Sequence, residues 1–173
     1  MDAPEYVPGH DLLADRIVVV TAAAGAGIGF AVAKKAVEEG ATVVISDVHE
    51  RRLDEAADVL AELSGDRPVT SLCDVRDENQ VQGLLDAAVA AHGRIDVMVN
   101  NAGLGGDTPL VEMQDDEWER VLDITLTGAM RCTRAAMRIM GEQGHGVIVN
   151  NASVLGWRAQ AGQSHYAAAK AGV

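Results

Sequence analysis

The sequence predicts a doubly wound α/β domain built on a parallel sheet, and three observations carry the prediction. Short β-branched runs alternate with longer stretches of helical apolar periodicity. Turn residues stand at the junctions. At 173 residues, 48% of them hydrophobic, the chain can bury one well-packed core and is too short for two ordinary ones. Alternation of this kind forces parallel pairing, because each helix must carry the chain back over the sheet by a right-handed crossover.

In order, strands are expected at 16–21, 42–47, 68–73, 95–100 and 146–150, each a short run rich in Val, Ile or Thr. Helices are expected at 28–39, 51–63, 78–92 and 115–140, where apolar residues recur near every 3.6 positions. Residues 1–15 read as a leader, loosely specified over about its first ten positions, and 16–173 as the domain. From Tyr166 the chain reads as the first turns of another helix, and Gly172-Val173 supplies neither a cap nor a reason to stop. An open sheet ending there would leave an unpaired edge. The polypeptide is therefore expected to continue beyond Val173, with the fold truncated after its fifth strand.

A formal charge of -12 offers no basic stripe for a polyphosphate backbone, so nucleic acid is not an expected partner. The N-terminus lacks an apolar signal region and the apolar runs are strand-sized, so neither export nor a membrane is expected and the location read is cytoplasmic. Cys73 and Cys132 have no C-x-x-C spacing and read as reduced, buried residues; no metal site is expected.

The first strand runs into Thr21-Ala-Ala-Ala-Gly25-Ala-Gly27-Ile28-Gly29 and then directly into a helix. Glycines there let a pyrophosphate approach the helix N-terminus, whose free N–H groups favour negative charge. Alone, the pattern also fits an ordinary strand–helix loop. Asp47, eighteen residues past Gly29 at the end of the second strand, adds a carboxylate that can accept from both ribose hydroxyls and repel a 2′-phosphate. That favours NAD over NADP, although Arg51 and Arg52 follow closely and could reach a 2′-phosphate or simply lie solvated on the next helix. Asn100-Asn101-Ala102-Gly103 closes the fourth strand and should face the glycine turn across the crevice where strand order reverses. Asp74-Val75, ending the third strand, should lie beside the adenine, with a helix-capping role for Asp74 equally open.

Near the C-terminus, Ser153 precedes Tyr166 by thirteen positions and Tyr166 precedes Lys170 by four. A four-residue helical spacing brings Tyr166 and Lys170 to one face, toward the end of the preceding strand where Ser153 lies. A neighbouring ammonium and a positive nicotinamide favour the phenolate. Tyr166 can then act as general base toward an alcohol and general acid toward a ketone, Ser153 can hold the substrate oxygen, and Lys170 can tune Tyr166 and bind the nicotinamide ribose. Each residue alone has a plainer role; all three downstream of a dinucleotide-binding half point to proton transfer.

On these motifs the chain, from Arg16 to Val173, resembles the short-chain dehydrogenase/reductase (SDR) family. The resemblance implies a Rossmann sheet, an NAD(P)-dependent alcohol–carbonyl reaction, and homodimers or homotetramers packed through the helices beginning near Asp115 and Tyr166. Two positions depart from the family pattern. An alanine, Ala23 or with a one-residue insertion Ala22, replaces the first glycine of the turn, which must then avoid positive φ or bear about 1 kcal/mol of strain. Thr125 stands where the family commonly has an asparagine that links the lysine to a water relay, and that role is not carried over.

Gly103-Leu-Gly-Gly-Asp-Thr-Pro and Asn-Asn-Ala-Ser-Val-Leu-Gly-Trp-Arg-Ala-Gln are further similar to actinobacterial enzymes close to 3-oxoacyl thioester reductases, some acting on CoA-linked remnants of steroid rings C and D. Trp157, Arg158 and Gln160 are then candidates for the substrate pocket or for ordinary loop packing. The function expected is an NAD(H)-dependent interconversion of a secondary alcohol and a ketone, on a small hydroxy/keto substrate such as an acyl-CoA. The competing expectations are a non-catalytic dinucleotide sensor or scaffold, and an inactive truncated fragment.

Overall fold

Four β-branched residues in succession make β1 (Ile17–Val20) a strand for a sheet covered on both faces. Val18 and Val20 point to one side and Val19 to the other, all buried. The computed structural model describes residues 5–173. Beside β1 lie β2 (Thr42–Asp47), β3 (Val69–Leu72), β4 (Val97–Asn100) and β5 (Val147–Asn150), all parallel, in the order β3-β2-β1-β4-β5. Helices α1 (Ile28–Glu38) and α2 (Glu50–Ser64) cover the Val18 face through Ala33, Ala36, Leu53 and Leu60. Helices α3 (Glu78–His92) and α5 (Gly128–Gln143) cover the Val19 face through Val81, Leu84, Ala136 and Met140. Strand order reverses between β1 and β4, so the C-terminal ends of those strands frame a crevice.

The elements form in the expected order, with altered limits. Strands 16–21, 68–73, 95–100 and 146–150 are each shorter than expected, and at the start of β4 a side chain takes the place of the ladder. Gln143 Oε1 accepts from Ile95 N–H (3.0 Å) and its Nε2 donates to Ile95 C=O (2.9 Å), so a side-chain amide pairs this residue before β4 begins. The helix expected over 115–140 is divided: α4 (Asp115–Leu122) and α5 are joined by a π-helical turn, Asp123–Thr127. Apolar spacing cannot register one residue of unwinding. A short helix, α6 (Ser164–Gly172), follows β5.

Ahead of β1 the chain is tied to the end of α1: Glu39 Oε2 accepts from His10 N–H (2.8 Å) and Leu12 N–H (3.3 Å), and Lys35 Nζ donates to the Val7 carbonyl (3.0 Å). The His10 N–H, with Lys35 beside it, holds the Glu39 carboxyl below the usual range. The first four positions of the expected leader lie outside the described residues. Among the described residues no helix is long and apolar enough to cross a membrane.

Candidate active site

The glycine turn begins where β1 ends. Ala22 takes φ 50°, the positive region that glycine adopts freely and alanine occupies at a cost of about 1–2 kcal/mol, whereas Ala23 does not. Positive φ thus falls at Ala22, the position that a one-residue insertion would align with the family's first glycine. Gly25 also has positive φ (78°), and Gly27 caps α1 without any side-chain bond to the helix amides. Space is open where a Cβ would stand on Gly25 or Gly27. Gly29 differs: a Cβ would fall 3.0 Å from the Ala22 carbonyl carbon and nearer still to its oxygen and to Asn101 Nδ2. Ile28, the first residue of α1, is exposed beside the opening. An uncapped helix N-terminus under an open glycine turn fits a pyrophosphate.

Asn101 is what crowds Gly29. Its Nδ2 donates to the carbonyls of Thr21 and Ala22 (both 3.0 Å), and its Oδ1 accepts from Asn151 Nδ2 (2.9 Å). Thr21 Oγ1 accepts from the N–H groups of Asn101 and Ala102 (3.0 Å each) and donates to Val99 C=O (3.3 Å). Asn100 Nδ2 donates to Thr133 Oγ1 and Asn150 Oδ1 (2.8 Å each). The side chains of Thr21 and Asn101 are thus spent within the protein, tying the ends of β1, β4 and β5 together, whereas Asn100 uses only its Nδ2 and keeps a buried Oδ1 without a partner.

Beyond the turn, a cavity of about 640 Å³ is lined by Ala22, Asp47, Asp74, Val75, Ala102 and Gly103 among others. Segments expected to share a ligand, from the ends of β1, β2, β3 and β4, do share a cavity. Asp47 is buried and accepts from Ala24 N–H (3.2 Å) and His49 N–H (3.1 Å), which fixes its carboxylate at the rim. Asp74 does not cap α3; Asp77 does, accepting from Asn79 and Gln80 N–H. Asp74 instead grips Arg76 in a forked pair (2.6–3.0 Å), and that guanidinium holds its carboxyl below the usual range. Arg51 is paired with Glu55 on the exposed face of α2 (2.6 Å), and neither Arg51 nor Arg52 lines the cavity. Burial pushes the Cys73 thiol up to about 11, so it is an inert part of the wall.

On α6, Tyr166 and Lys170 share a face as their spacing requires, with Lys170 Nζ 5.7 Å from the centroid of the Tyr166 ring. Lys170 is only 6% exposed; burial shifts its ammonium toward the neutral form, and Nζ donates to the Asn151 carbonyl. Ser153 begins a 3₁₀ turn, Val154–Gly156, where its Oγ accepts from Leu155 N–H (3.2 Å). That turn docks on α6: a Cβ on Gly156 would stand 2.8 Å from the Lys170 carbonyl oxygen. Trp157, 92% exposed, lies outside the cavity, as do Arg158 and Gln160, which are exposed at the surface. Thr125 is buried, and its hydroxyl exchanges hydrogen bonds with Leu104, donating to the carbonyl (3.0 Å) and accepting from the N–H (2.9 Å).

Four residues that sequence reasoning passed over belong to this region: Arg76 and Arg120 at the cavity wall, Asn151 under Lys170, and His165 beside Tyr166. Asn151 stands inside the Asn-Asn-Ala-Ser run and His165 directly before Tyr166, so both have a signal in the sequence, whereas Arg76 in its loop and Arg120 on α4 are brought to the cavity by tertiary packing alone.

Residues 16–173 match the family described as short chain dehydrogenase. Over 172 residues the chain is 60% identical to a Mycobacterium tuberculosis protein named (5R,7aS)-5-hydroxy-7a-methyl-1-oxo-2,3,5,6,7,7a-hexahydro-1H-indene-carboxyl-CoA reductase, covering 99% of this chain and 66% of that protein's length. Among solved structures, a short chain dehydrogenase from Mycobacterium smegmatis superposes with TM-score 0.96 at 59% identity, over 99% of this chain and 72% of that one. NAD+-bound xylitol dehydrogenase superposes with TM-score 0.88 at 33% identity, over 93% of this chain and 62% of that one. With the family match, the strand order and these likenesses in agreement, the chain belongs to the short-chain dehydrogenase family.

Proposed function

We propose that the protein is an NAD(H)-dependent dehydrogenase that interconverts a secondary alcohol and a ketone on a CoA thioester, either a remnant of steroid rings C and D or a 3-oxoacyl thioester. The observation that carries this reading is Lys170 Nζ 5.7 Å from the centroid of the Tyr166 ring, on a helix that the turn beginning at Ser153 docks against. These three residues do not line the cavity that reaches Asp47, but Gly103, which does, lies against Lys170. The substrate class follows the name of the mycobacterial relative.

Bound in the crevice, the nicotinamide would supply or accept the hydride. Tyr166 Oη holds the proton that leaves or joins the substrate oxygen. Ser153 Oγ already accepts from Leu155 N–H, so its own hydrogen is free to donate to that oxygen. Lys170 Nζ places positive charge near Tyr166, and its low exposure strengthens that field. Gly25, Gly27 and the first amides of α1 would hold the pyrophosphate, the main chain of Asn100, Ala102 and Gly103 would border the nicotinamide side, and Asp74 with Val75 would flank the adenine. Asp47 supports NAD over NADP, because a fixed, buried carboxylate repels a 2′-phosphate and no free cation of α2 reaches the cavity.

As assembly we propose a homodimer or homotetramer through α4 and α6, since α4 buries only Val121 against its own chain. A reducing, cytoplasmic setting fits Cys73 and Cys132, both buried free thiols. The test is direct titration with NADH and NADPH, followed by turnover of a keto-hydrindane carboxyl-CoA and of its free acid. NADH is expected to bind at least about tenfold tighter, a difference of roughly 1.4 kcal/mol, and the thioester to be the better substrate. Equal affinity for the two cofactors would remove the role given to Asp47, and no turnover of any ketone would remove the enzymatic reading.

A further inference from the structure

The loop after β4 lies along α6 in a fixed register. A Cβ on Gly103 would stand 3.6 Å from Lys170 Nζ, one on Gly105 3.8 Å from Tyr166 Cδ2, and one on Gly106 3.0 Å from His165 Cε1 and closer still to Nε2. Three glycines of one strap therefore meet three successive contact residues of the helix in reverse order. The first two sites tolerate a methyl group; the third does not. Glycine is required at 106 because the backbone there rests on the histidine ring.

His165 is fully buried, and its ring nitrogens make no hydrogen bond of good geometry. Its Nε2 lies 3.4 Å from Glu117 Oε1 on α4, and the same carboxylate oxygen accepts from Thr108 Oγ1 (2.7 Å) in the strap. A buried imidazole without a well-formed bond costs free energy that a leucine would not. Something other than stability accounts for its use here. Its ring fills the space between the strap, α4 and α6, one residue from Tyr166. The strap is pinned on either side of this point, by the Thr125–Leu104 exchange and by Thr108 N–H donating to the Gly162 carbonyl (3.0 Å).

We infer that His165 is a positioning residue: wedged between Gly106 and Glu117, it keys the 103–108 strap onto α6 and so sets where the Tyr166 ring sits against Gly105. The inference rests on the dehydrogenase reading above and identifies how that site is held. It makes His165, Gly106 and Glu117 one device, separate from the proton-transfer group.

Three variants of the whole protein test it: Gly106→Ala, His165→Leu and His165→Gln. Each is measured for turnover, for NADH affinity, and for hydrogen exchange at the strap amides, above all Leu104 N–H. Gly106→Ala and His165→Leu are expected to lower kcat about tenfold or more, since a displacement approaching 1 Å at a reacting group costs up to about a hundredfold, while NADH affinity stays within about twofold. Exchange at the strap should quicken in both. His165→Gln, whose planar amide can take the ring's place between Gly106 and Glu117 Oε1, 3.4 Å from Nε2, is expected to recover part of the loss that leucine does not. Because exchange is read without turnover, it bears on the strap even if the wild-type protein reduces no ketone, an outcome that would fault the dehydrogenase reading instead. Unchanged strap exchange in both Gly106→Ala and His165→Leu would overturn the inference, as would a loss of NADH affinity equal to the loss in kcat, or a leucine variant as active as the glutamine one.

Discussion

At residue scale, the sharpest contrast is between Ala22 and Gly29, seven positions apart in one turn. Ala22 bears a positive φ that glycine would relieve, whereas Gly29 has no space for a methyl group. Replacing Ala22 by Gly should therefore be neutral to stabilising by up to about 1 kcal/mol, the strain released being partly offset by the entropy glycine adds to the unfolded chain. Thermal unfolding would show this as an unchanged or raised Tm. Gly29→Ala should instead lower Tm and weaken NADH binding together, because Asn101 must give way; an unperturbed Tm would contradict the clamp. The identities of Ser153, Tyr166 and Lys170 are legible in the sequence because one reaction needs those groups at one helical spacing. The internal employment of Thr21, Asn100 and Asn101 is not, since their hydrogen bonds span about eighty residues in one case and fifty in another. Arg76 is equally hidden, because its place at the cavity comes from a forked bond to Asp74 that no periodicity announces.

At the scale of elements, the alternation of β-branched runs with helical periodicity is enough to order the sheet, because crossover handedness leaves few parallel topologies. The π-helical turn between α4 and α5 is where that reasoning stops. Asp123–Thr127 holds Thr125 against Leu104, and Gly128 passes so close to Val75 that a Cβ would stand 3.0 Å from the valine Cβ. These are contacts between loops remote in sequence, so local spacing carries no trace of them. In Thr125→Val the hydroxyl is lost at nearly constant volume, leaving the Leu104 N–H and C=O without their partner. A loss of about 1–3 kcal/mol is expected by denaturant unfolding, with faster exchange at Leu104. If stability is unchanged, the turn is held by packing alone.

At the scale of the whole molecule, the two ends of the sheet do different work. At the N-terminal ends of the strands Asp96, 4% exposed, accepts from Ile17 N–H (2.8 Å) and Arg94 Nε (3.0 Å), with His145 Nε2 3.3 Å away. Burial pushes its carboxyl up, but the Ile17 N–H, Arg94 and His145 together hold it below the ordinary value of 3.8. A carboxyl lowered by folding contributes stability that is complete above that value and is lost as pH falls through the lower folded one. Asp96→Asn should thus lower stability at neutral pH and flatten its decline in acid; parallel stability–pH curves for the two proteins would contradict the assignment. At the C-terminal ends, the same sheet carries the loops that hold the crevice, and there the central claim is that Tyr166 moves the proton. The most direct measurement is turnover and NADH affinity of Tyr166→Phe beside the wild-type protein on one ketone thioester. The account predicts that turnover falls by at least about a thousandfold while NADH affinity changes less than about threefold. A phenylalanine variant that still turns over at a tenth of the wild-type rate or better would contradict it.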